Sequence, residues 1–196
     1  MSMSKQSPGF ALPVTATNPI LASGKSDHSL RKLVYDFFTV AARMEDIRRH
    51  LGKRVGLTGP QYSLIMAVAE LQGRDGVSVG RVAEYLHVTG TFVTTESGKL
   101  SKKDFVEKRP DVQDRRLSLL SIAPKGQIAL NSLFPELQQI NDICFELDSR
   151  TDFEGLCKVL ERLVGNSQRA LALINATRQD PRLTLNAGGV GVRKHR

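Results

Sequence analysis

The sequence of 196 residues contains no tryptophan, only two cysteines and only four histidines. Cys144 and Cys157 form no CxxC motif and no histidine cluster accompanies them, which argues against a disulfide framework and a zinc site. The sequence also has no Ser-His-Asp spacing, no phosphate-binding glycine loop and no paired catalytic carboxylates. We therefore expect no cofactor, no metal and no enzymatic activity, and the two thiols suit a reducing cytoplasm.

Long apolar runs are missing as well. No run approaches the roughly 20 residues that cross a bilayer. Pro13 and Pro19 interrupt the apolar part of the N-terminal stretch, which does not fit a signal peptide. We expect a soluble, cytoplasmic protein that does not enter a membrane. Residues 1–28 are predicted to form a flexible arm, and residues 178–196, rich in glycine and arginine, a flexible basic tail.

What the sequence does have is positive charge, with a formal net charge of +8 and a pI of about 9.8. Such a balance favours polyanionic partners, most often nucleic acid and sometimes an anionic membrane surface. The apolar content of 40% is enough to form a core in a chain of this length. Charge thus predicts the class of partner but not its identity.

Two helices are predicted in the first part of the chain. The first covers residues 29–53, because apolar residues recur every three or four positions and mark one buried face. The second begins at a capping box, in which Thr58 caps the early amides and Gln61 reaches back, and it ends near Leu71. The stripe of the first helix consists of Leu30, Leu33, Val34, Phe37, Ala41, Met44, Ile47 and Leu51.

Residues 77–103 contain two further short helical patterns, separated by a tight break and preceded by a possible short strand. Ser78 and Thr89 are the predicted N-caps of these helices, and Val93 and Leu100 are the expected inward positions of the second. This order is typical of a helix-turn-helix. Hydroxyls and amides near the start of the second helix can reach phosphates or bases, or they can be ordinary surface groups. The expected contact residues are Thr89, Thr91, Thr94, Thr95 and Lys99.

A β-hairpin follows immediately. Residues 105–108 and 117–119 alternate apolar and polar side chains, and the segment between them is too long for a two-residue turn. The alternatives are a solvated hairpin whose charges maintain solubility and a wing that touches DNA. We favour the wing because of the preceding helix-turn-helix. Its tip would present guanidinium groups that suit phosphate oxygens and a narrow minor groove: Arg109, Arg115 and Arg116.

Two more helices are predicted after the wing. One begins at Pro124 and must be kinked or interrupted at Pro135, because proline removes a backbone donor and crowds the preceding turn. The other begins at a capping box, Thr151 to Glu154, and ends near Ala176.

The terminal helices carry more apolar surface than one winged domain can cover. We therefore predict that they pack on each other and on a second copy of the chain in a two-fold dimer. Cys144 and Cys157 lie on or near these apolar stripes, which predicts two buried thiols.

The wing carries an Asp-x-x-Asp-Arg-Arg motif over residues 111–116. Together with the helix-turn-helix before it, this motif resembles the MarR family of bacterial transcriptional regulators, and the resemblance covers residues 29–176. The matching residues are Leu57, Thr58, Gln61, Tyr62, Val82, Ala83, Glu84, Tyr85, Leu86, Val93, Thr94, Leu100, Lys102, Lys103, Val106, Asp111, Asp114, Arg115, Arg116, Pro124, Lys125 and Gly126.

The resemblance implies a mainly α fold with a small β wing, in a MarR-type domain over residues 29–177. The winged helix-turn-helix would cover about 57–123, and the dimerisation helices about 29–53 and 124–177. The family's members are homodimers whose two winged helices read successive major grooves of a pseudo-palindromic double-stranded operator. Most of them repress transcription.

The resemblance also implies roles for the wing residues. Arg115 is expected to enter the minor groove, and Asp114 to hold its guanidinium fork through a charge-assisted hydrogen bond. Arg116 would contact the DNA backbone or brace the wing.

Many family members respond to small aromatic acids bound between the dimerisation helices and the winged domain. Here Arg43 or His50 could supply a charge for a carboxylate. The simpler alternative is that aromatic and methionine side chains at helical spacing are core residues. The first helix has no cysteine, which disfavours a thiol switch. The candidate ligand residues are Tyr35, Phe38, Arg43, Tyr62 and Met66.

The second helix of the helix-turn-helix departs from the family at Glu96, Ser97 and Gly98. A glycine inside a helix costs about 1 kcal/mol relative to alanine, so this helix is expected to be locally soft. Asp104 stands where a glycine is usual, which is acceptable for a left-handed cap. The departures motivate an alternative function, a helical dimeric protein-interaction factor or a non-specific DNA-coating factor.

Overall fold

The computed structural model describes residues 12–22, 24, 26–112, 114 and 117–179. Over these residues the chain is mainly α-helical with one small sheet, which confirms the predicted fold class. It divides into two compact units, Met1–Gln139 and Ile140–Arg196. The elements are α1 (His28–Arg54), α2 (Gly59–Leu71), β1 (Val77–Ser78), α3 (Val79–Leu86), α4 (Gly90–Lys102), β2 (Val106–Pro110), β3 (Ser118–Ile122), α5 (Pro124–Cys144) and α6 (Arg150–Gln179).

The sheet is antiparallel in the order β1-β3-β2, so the predicted short strand before α3 is present. In the hairpin, Val106 faces Ile122 and Pro110 faces Ser118. The strand therefore continues through Arg109 and Pro110, where the sequence predicted a loop. Proline is tolerated here because β2 is an edge strand and needs no donor on its open side.

The hydrophobic core of the first unit lies between α2, α3, α4 and the sheet. Burying one aliphatic side chain of this kind contributes about 1.5–3 kcal/mol, so these positions dominate the stability of the winged helix. Both expected inward positions of α4 belong to this core. Its fully buried members are Leu64, Ile65, Val68, Val82, Val93, Leu100 and Leu120.

The helix caps of the winged helix follow the sequence closely. Thr58 and Gln61 form both halves of the predicted capping box. The hydroxyls of Ser78 and Thr89 accept from amides in the first turns of α3 and α4, as predicted. Asp104 has a φ of 62° and thus adopts the expected left-handed conformation.

The terminal helices differ from expectation in burial. In α1 only Leu51 and Gly52 are buried, so the predicted buried face is found only near the C-terminal end of the helix. No residue of α6 is buried. The prediction that Cys144 and Cys157 are buried is wrong for the single chain, in which both thiols are exposed.

Two local predictions about the last helices are also corrected. Pro135 does not interrupt α5, which is continuous to Cys144. The carbonyl of Asn131 loses its usual donor at Pro135, but both residues are exposed and water can replace the bond. The cap of α6 is Ser149 rather than Thr151, because the Ser149 hydroxyl accepts from the Asp152 amide at 3.1 Å.

The described part of the N-terminal arm is attached to the start of α1. The Thr15 amide donates to the Asp27 carboxylate at 2.7 Å, and the Thr15 hydroxyl and the Arg31 guanidinium also donate to it. The Thr15 hydrogen bonds, with the charge of Arg31, lower the pKa of Asp27 although burial opposes them. Residues 1–11 of the predicted arm and 180–196 of the predicted tail lie outside the described residues.

Candidate nucleic-acid interface

The exposed face of α4 is fixed by what the helix buries. Val93, Ser97 and Leu100 are fully buried, at spacings of four and three, so the opposite face is turned to solvent. The predicted contact residues on this face, and the N-cap before it, are all exposed: Thr89, Thr91, Thr94, Thr95 and Lys99. The structure thus leaves all five predicted contact residues exposed.

The unusual Glu96-Ser97-Gly98 segment is accommodated without breaking α4. The Ser97 hydroxyl donates to the Val93 carbonyl at 2.6 Å, which satisfies a polar group inside the core. Gly98 is needed neither for a positive φ nor for close packing, since a Cβ there would meet only the Lys108 ammonium, at 3.9 Å. The structure therefore gives no packing reason for glycine at this position.

Glu96 links α4 to α2. Its Oε2 accepts a hydrogen bond from the side-chain amide of Gln61 (Nε2) at 3.2 Å, and its Oε1 accepts one from the Lys99 ammonium at 2.6 Å. These three residues are the Glu96 network. The hydrogen bond from Lys99, followed by that from Gln61, lowers the pKa of Glu96 against the effect of burial. The carboxylate is therefore charged at neutral pH.

Lys103, just after α4, and Lys125, in the first turn of α5, each donate to a backbone carbonyl of another segment. The Lys103 ammonium donates to the Gly56 carbonyl at 2.9 Å, and the Lys125 ammonium donates to the Lys103 carbonyl at 2.8 Å. Lys125 also lies over the ring of Phe105, 5.3 Å from its centroid. These contacts tie α4 to the α1–α2 turn and to the start of α5.

Two cations of β2 brace the wing, one against α4 and the other against the turn before β1. The Lys108 ammonium donates to the Thr94 carbonyl at 3.3 Å, and burial lowers the pKa of Lys108. Arg109 was expected at the tip, but it lies in β2 and donates to the Asp75 carbonyl at 2.5 Å. Arg109 remains exposed, so its other N–H groups can still reach a phosphate.

The described part of the wing loop closes through backbone hydrogen bonds. The Asp111 amide donates to the Leu117 carbonyl at 3.0 Å, and the Leu117 amide donates to the Asp114 carbonyl at 2.9 Å. Arg115 and Arg116, the predicted groove and backbone contacts, lie outside the described residues. The expected bond between Asp114 and Arg115 therefore stays a prediction.

The candidate ligand residues do not enclose a site in the single chain. Tyr35 and Phe38 are 69% and 68% exposed, and Arg43 is exposed beside them on α1. Tyr62 is buried, which raises its pKa, and Met66 packs partly against the core.

The other candidate charge for a ligand, His50, is already paired. Its Nε2 lies 2.7 Å from the Glu136 carboxylate, which also contacts Arg54 at 3.2 Å. The hydrogen bond from His50, then the charges of Arg54 and His50, lower the pKa of Glu136. This cluster links α1 to α5.

Sequence reasoning identified Gln61 as half of a capping box but missed its bond to Glu96. Thirty-five positions separate the two residues, and the periodicity of either helix gives no sign of the contact. The free N–H of a capping glutamine was the only available signal.

No metal-binding group of three or more His, Cys, Asp or Glu side chains occurs in the described parts of the chain. No helix among the same residues is long and apolar enough to cross a membrane.

Residues 55–117 match the family model described as the MarR family. Transcriptional activatory protein BadR of Rhodopseudomonas palustris is 32% identical over 72 residues, a match covering 37% of this chain. The chain thus spans 41% of the length of this curated relative.

Solved structures with a similar fold include a transcriptional regulator and a protein–DNA complex. AbsC, a MarR family transcriptional regulator from Streptomyces coelicolor, has a TM-score of 0.63 at 13% identity, covering 72% of this chain and 95% of its own. The S. aureus MepR–DNA complex has a TM-score of 0.59 at 16% identity, covering 68% and 96%. At these identities the similarity establishes the fold.

Proposed function

Because residues 55–117 match the model of the MarR family and fold as a winged helix, we propose that this protein is a sequence-specific, double-stranded DNA-binding transcriptional regulator. The observation that carries this proposal is the exposed face of α4, where Thr91, Thr94 and Thr95 lie on the side away from a fully buried face. Hydroxyls can bond to phosphates or to base edges, and the net charge of +8 favours a polyanion.

The proposed regulator acts as a homodimer. Apolar side chains along α6 are partly exposed in the single chain, including Leu160 and Leu163 at 40% and 38%. A second copy would cover such a stripe and place two α4 helices on successive major grooves of a pseudo-palindrome. In this proposal residues 29–53 and 124–177 form the dimer, and residues 57–123 form the DNA-binding part.

At the wing, Arg115 enters the minor groove, and Asp114 supports it. Arg109 and Arg116 contact the phosphate backbone of the DNA. Arg109 is suited to this role because its bond to the Asp75 carbonyl fixes one side of the guanidinium group.

We propose that the protein represses transcription and is released by a small aromatic acid. Tyr35, Phe38 and Arg43 supply exposed aromatic faces and a cation on α1, which a second chain would complete as a pocket beside Tyr62 and Met66. The similar protein BadR is named an activatory protein, which favours the opposite sign of regulation. A reporter fused to the bound promoter, with and without the gene, distinguishes repression from activation.

The proposal is tested by fluorescence anisotropy with the DNA upstream of the protein's own gene and with scrambled DNA, at several salt concentrations. Specific binding predicts a preference on the order of a hundredfold or more and a steep salt slope. Arg115→Ala should weaken binding about fivefold or more, whereas the control Arg162→Ala, on α6, should not.

An alternative function is non-specific DNA coating or protein interaction. Glu96 favours the protein-interaction form of this alternative, because an acid that neutralises Lys99 lowers the positive charge that α4 offers to DNA of any sequence. Equal affinity for upstream and scrambled DNA would support this alternative and exclude a sequence-specific regulator.

A further inference from the structure

The only two lysines in α4 are Lys99 and Lys102, and Lys99 lies one turn after Thr95 on the exposed face. The Lys99 ammonium is 2.6 Å from Glu96 Oε1. One of the two lysines of α4 is therefore bound by an acid of its own helix.

Glu96 is held more firmly than its partner. Its side chain is only 13% exposed, whereas that of Lys99 is 56% exposed. The side-chain amide of Gln61 donates to Glu96 Oε2. Gln61 is itself held in place, because its Oε1 accepts from the Thr58 backbone amide at 3.3 Å and lies 3.5 Å from the Lys103 ammonium. Turning the carboxylate away would leave a buried amide donor without its partner, which costs about 1–3 kcal/mol.

This arrangement decides how Lys99 can take part in DNA binding. A free lysine on the surface can contact a phosphate of any sequence, and it adds most to the affinity for random DNA, because base contacts do not hold that complex in one register. A lysine held by a neighbouring carboxylate contributes little of that affinity, because the acid neutralises its charge and restrains its position. The threonines on the same face then contribute a larger share of the contacts.

We propose that Glu96 is a specificity-determining residue, which retains Lys99 in the Glu96 network and so keeps it from DNA phosphates. The inference rests on the proposed DNA-binding function. Its consequence is a lower affinity for random DNA, and therefore a larger ratio between specific and random binding.

The test is an anisotropy titration of the full chain against upstream and scrambled DNA over a range of salt concentrations. Glu96→Gln keeps the shape and an acceptor for Gln61 but removes the charge that holds Lys99. We expect random DNA to bind roughly three- to tenfold more tightly and the salt slope to steepen by about 0.9, the value for one added phosphate contact. The ratio between specific and random affinity should fall.

Lys99 variants distinguish release of this cation from simple removal of an acid. Lys99→Gln alone should change the salt slope by less than about 0.3, since in the wild type this lysine contacts no phosphate. In the Glu96→Gln/Lys99→Gln double variant the steepening should disappear. A slope reduced by about one in Lys99→Gln alone, or a steepening that persists in the double variant, overturns the inference.

The two proposals fail in different ways. If the wild type binds neither DNA, the regulatory function and this inference fall together. If the wild type prefers upstream DNA and Glu96→Gln leaves the slope and the affinity ratio unchanged, the function stands and the role of Glu96 is refuted. Thermal unfolding of each variant checks folding, and the Lys99→Gln result decides the question if Glu96→Gln does not fold.

Discussion

Helix α4 and the last helix α6 are both amphipathic, but the two helices differ in the burial of their apolar side chains. Val93 and Leu100 are fully buried, whereas no residue of α6 is buried. The winged helix completes its own core, whereas the apolar side chains of α6 are partly exposed. An apolar stripe in the sequence thus predicts which face of a helix packs against another surface. It does not predict whether that surface belongs to the same chain or to another molecule.

Of the variants considered, Leu100→Ala in α4 should cause the largest loss in the free energy of unfolding. Leu100 is fully buried among α2, α4 and the wing, so we expect a loss of about 2–5 kcal/mol in the free energy of unfolding. Chemical denaturation followed by circular dichroism measures it. The loss should be the same at all protein concentrations, and a loss below about 1 kcal/mol would contradict the assigned core.

Gly126 tests how closely α5 approaches the wing. A Cβ at this position would lie 2.3 Å from the Phe105 carbonyl oxygen, a backbone atom that cannot move aside without shifting the strand. Gly126→Ala should therefore destabilise by about 1–3 kcal/mol despite the better helix propensity of alanine. Gly155→Ala in α6, where nothing lies within 4 Å, is the matched control. Equal stability of the two variants would refute the close approach.

Leu163 tests the proposal that a second chain covers α6. Leu163→Ala removes apolar area from the stripe, so we expect the dimer dissociation constant to rise about tenfold, measured by sedimentation equilibrium. Unlike Leu100→Ala, the variant should lose stability in a concentration-dependent way. A monomeric wild type, or an unchanged dissociation constant, would contradict the proposed dimer.

Gly98 should behave in the opposite sense from Gly126. A Cβ would meet only the Lys108 ammonium at an ordinary distance, so Gly98→Ala should stabilise α4 by about 1 kcal/mol. Thermal unfolding measures the gain. Destabilisation would mean that the space beside Lys108 is smaller than the structure indicates.

The smallest effect concerns Glu136, whose pKa is lowered by the hydrogen bond from His50 and the charge of Arg54. A lowered pKa in the folded state means stabilisation that is complete above the usual value near 4.5 and is lost as the pH falls through the lowered value. Glu136→Gln should therefore flatten the fall in melting temperature as the pH decreases below about 4.5. The control Glu161→Gln in α6 should retain the wild-type profile, and identical profiles for both variants would exclude the contribution of Glu136.

The sequence predicted most of the winged helix because local rules and tertiary packing agree there. The capping box of Thr58 and Gln61, the cap at Thr89 and the inward positions of α4 all follow from patterns within a few residues. The hairpin was placed correctly, but its first strand, β2, ends later than predicted because it pairs with β3 through Pro110.

The failures arise where contacts are distant or depend on other molecules. Periodicity marked Cys144 and Cys157 as apolar positions, but burial needs a covering surface that the single chain does not supply. The bond between Gln61 and Glu96 joins two helices and leaves no local pattern. Arg109 was assigned to the loop because the strand end was misplaced, and its bond to Asp75 depends on that extension.

Hydrogen–deuterium exchange with and without the upstream DNA tests the central claim most directly, since it compares the two regions in one experiment. We predict that DNA slows exchange in peptides from α4 and the β2–β3 hairpin at least severalfold more than in peptides from α6, and that scrambled DNA has a much weaker effect. Protection confined to α6, or no protection in α4 and the hairpin under conditions where the DNA is bound, would contradict a winged helix that reads DNA.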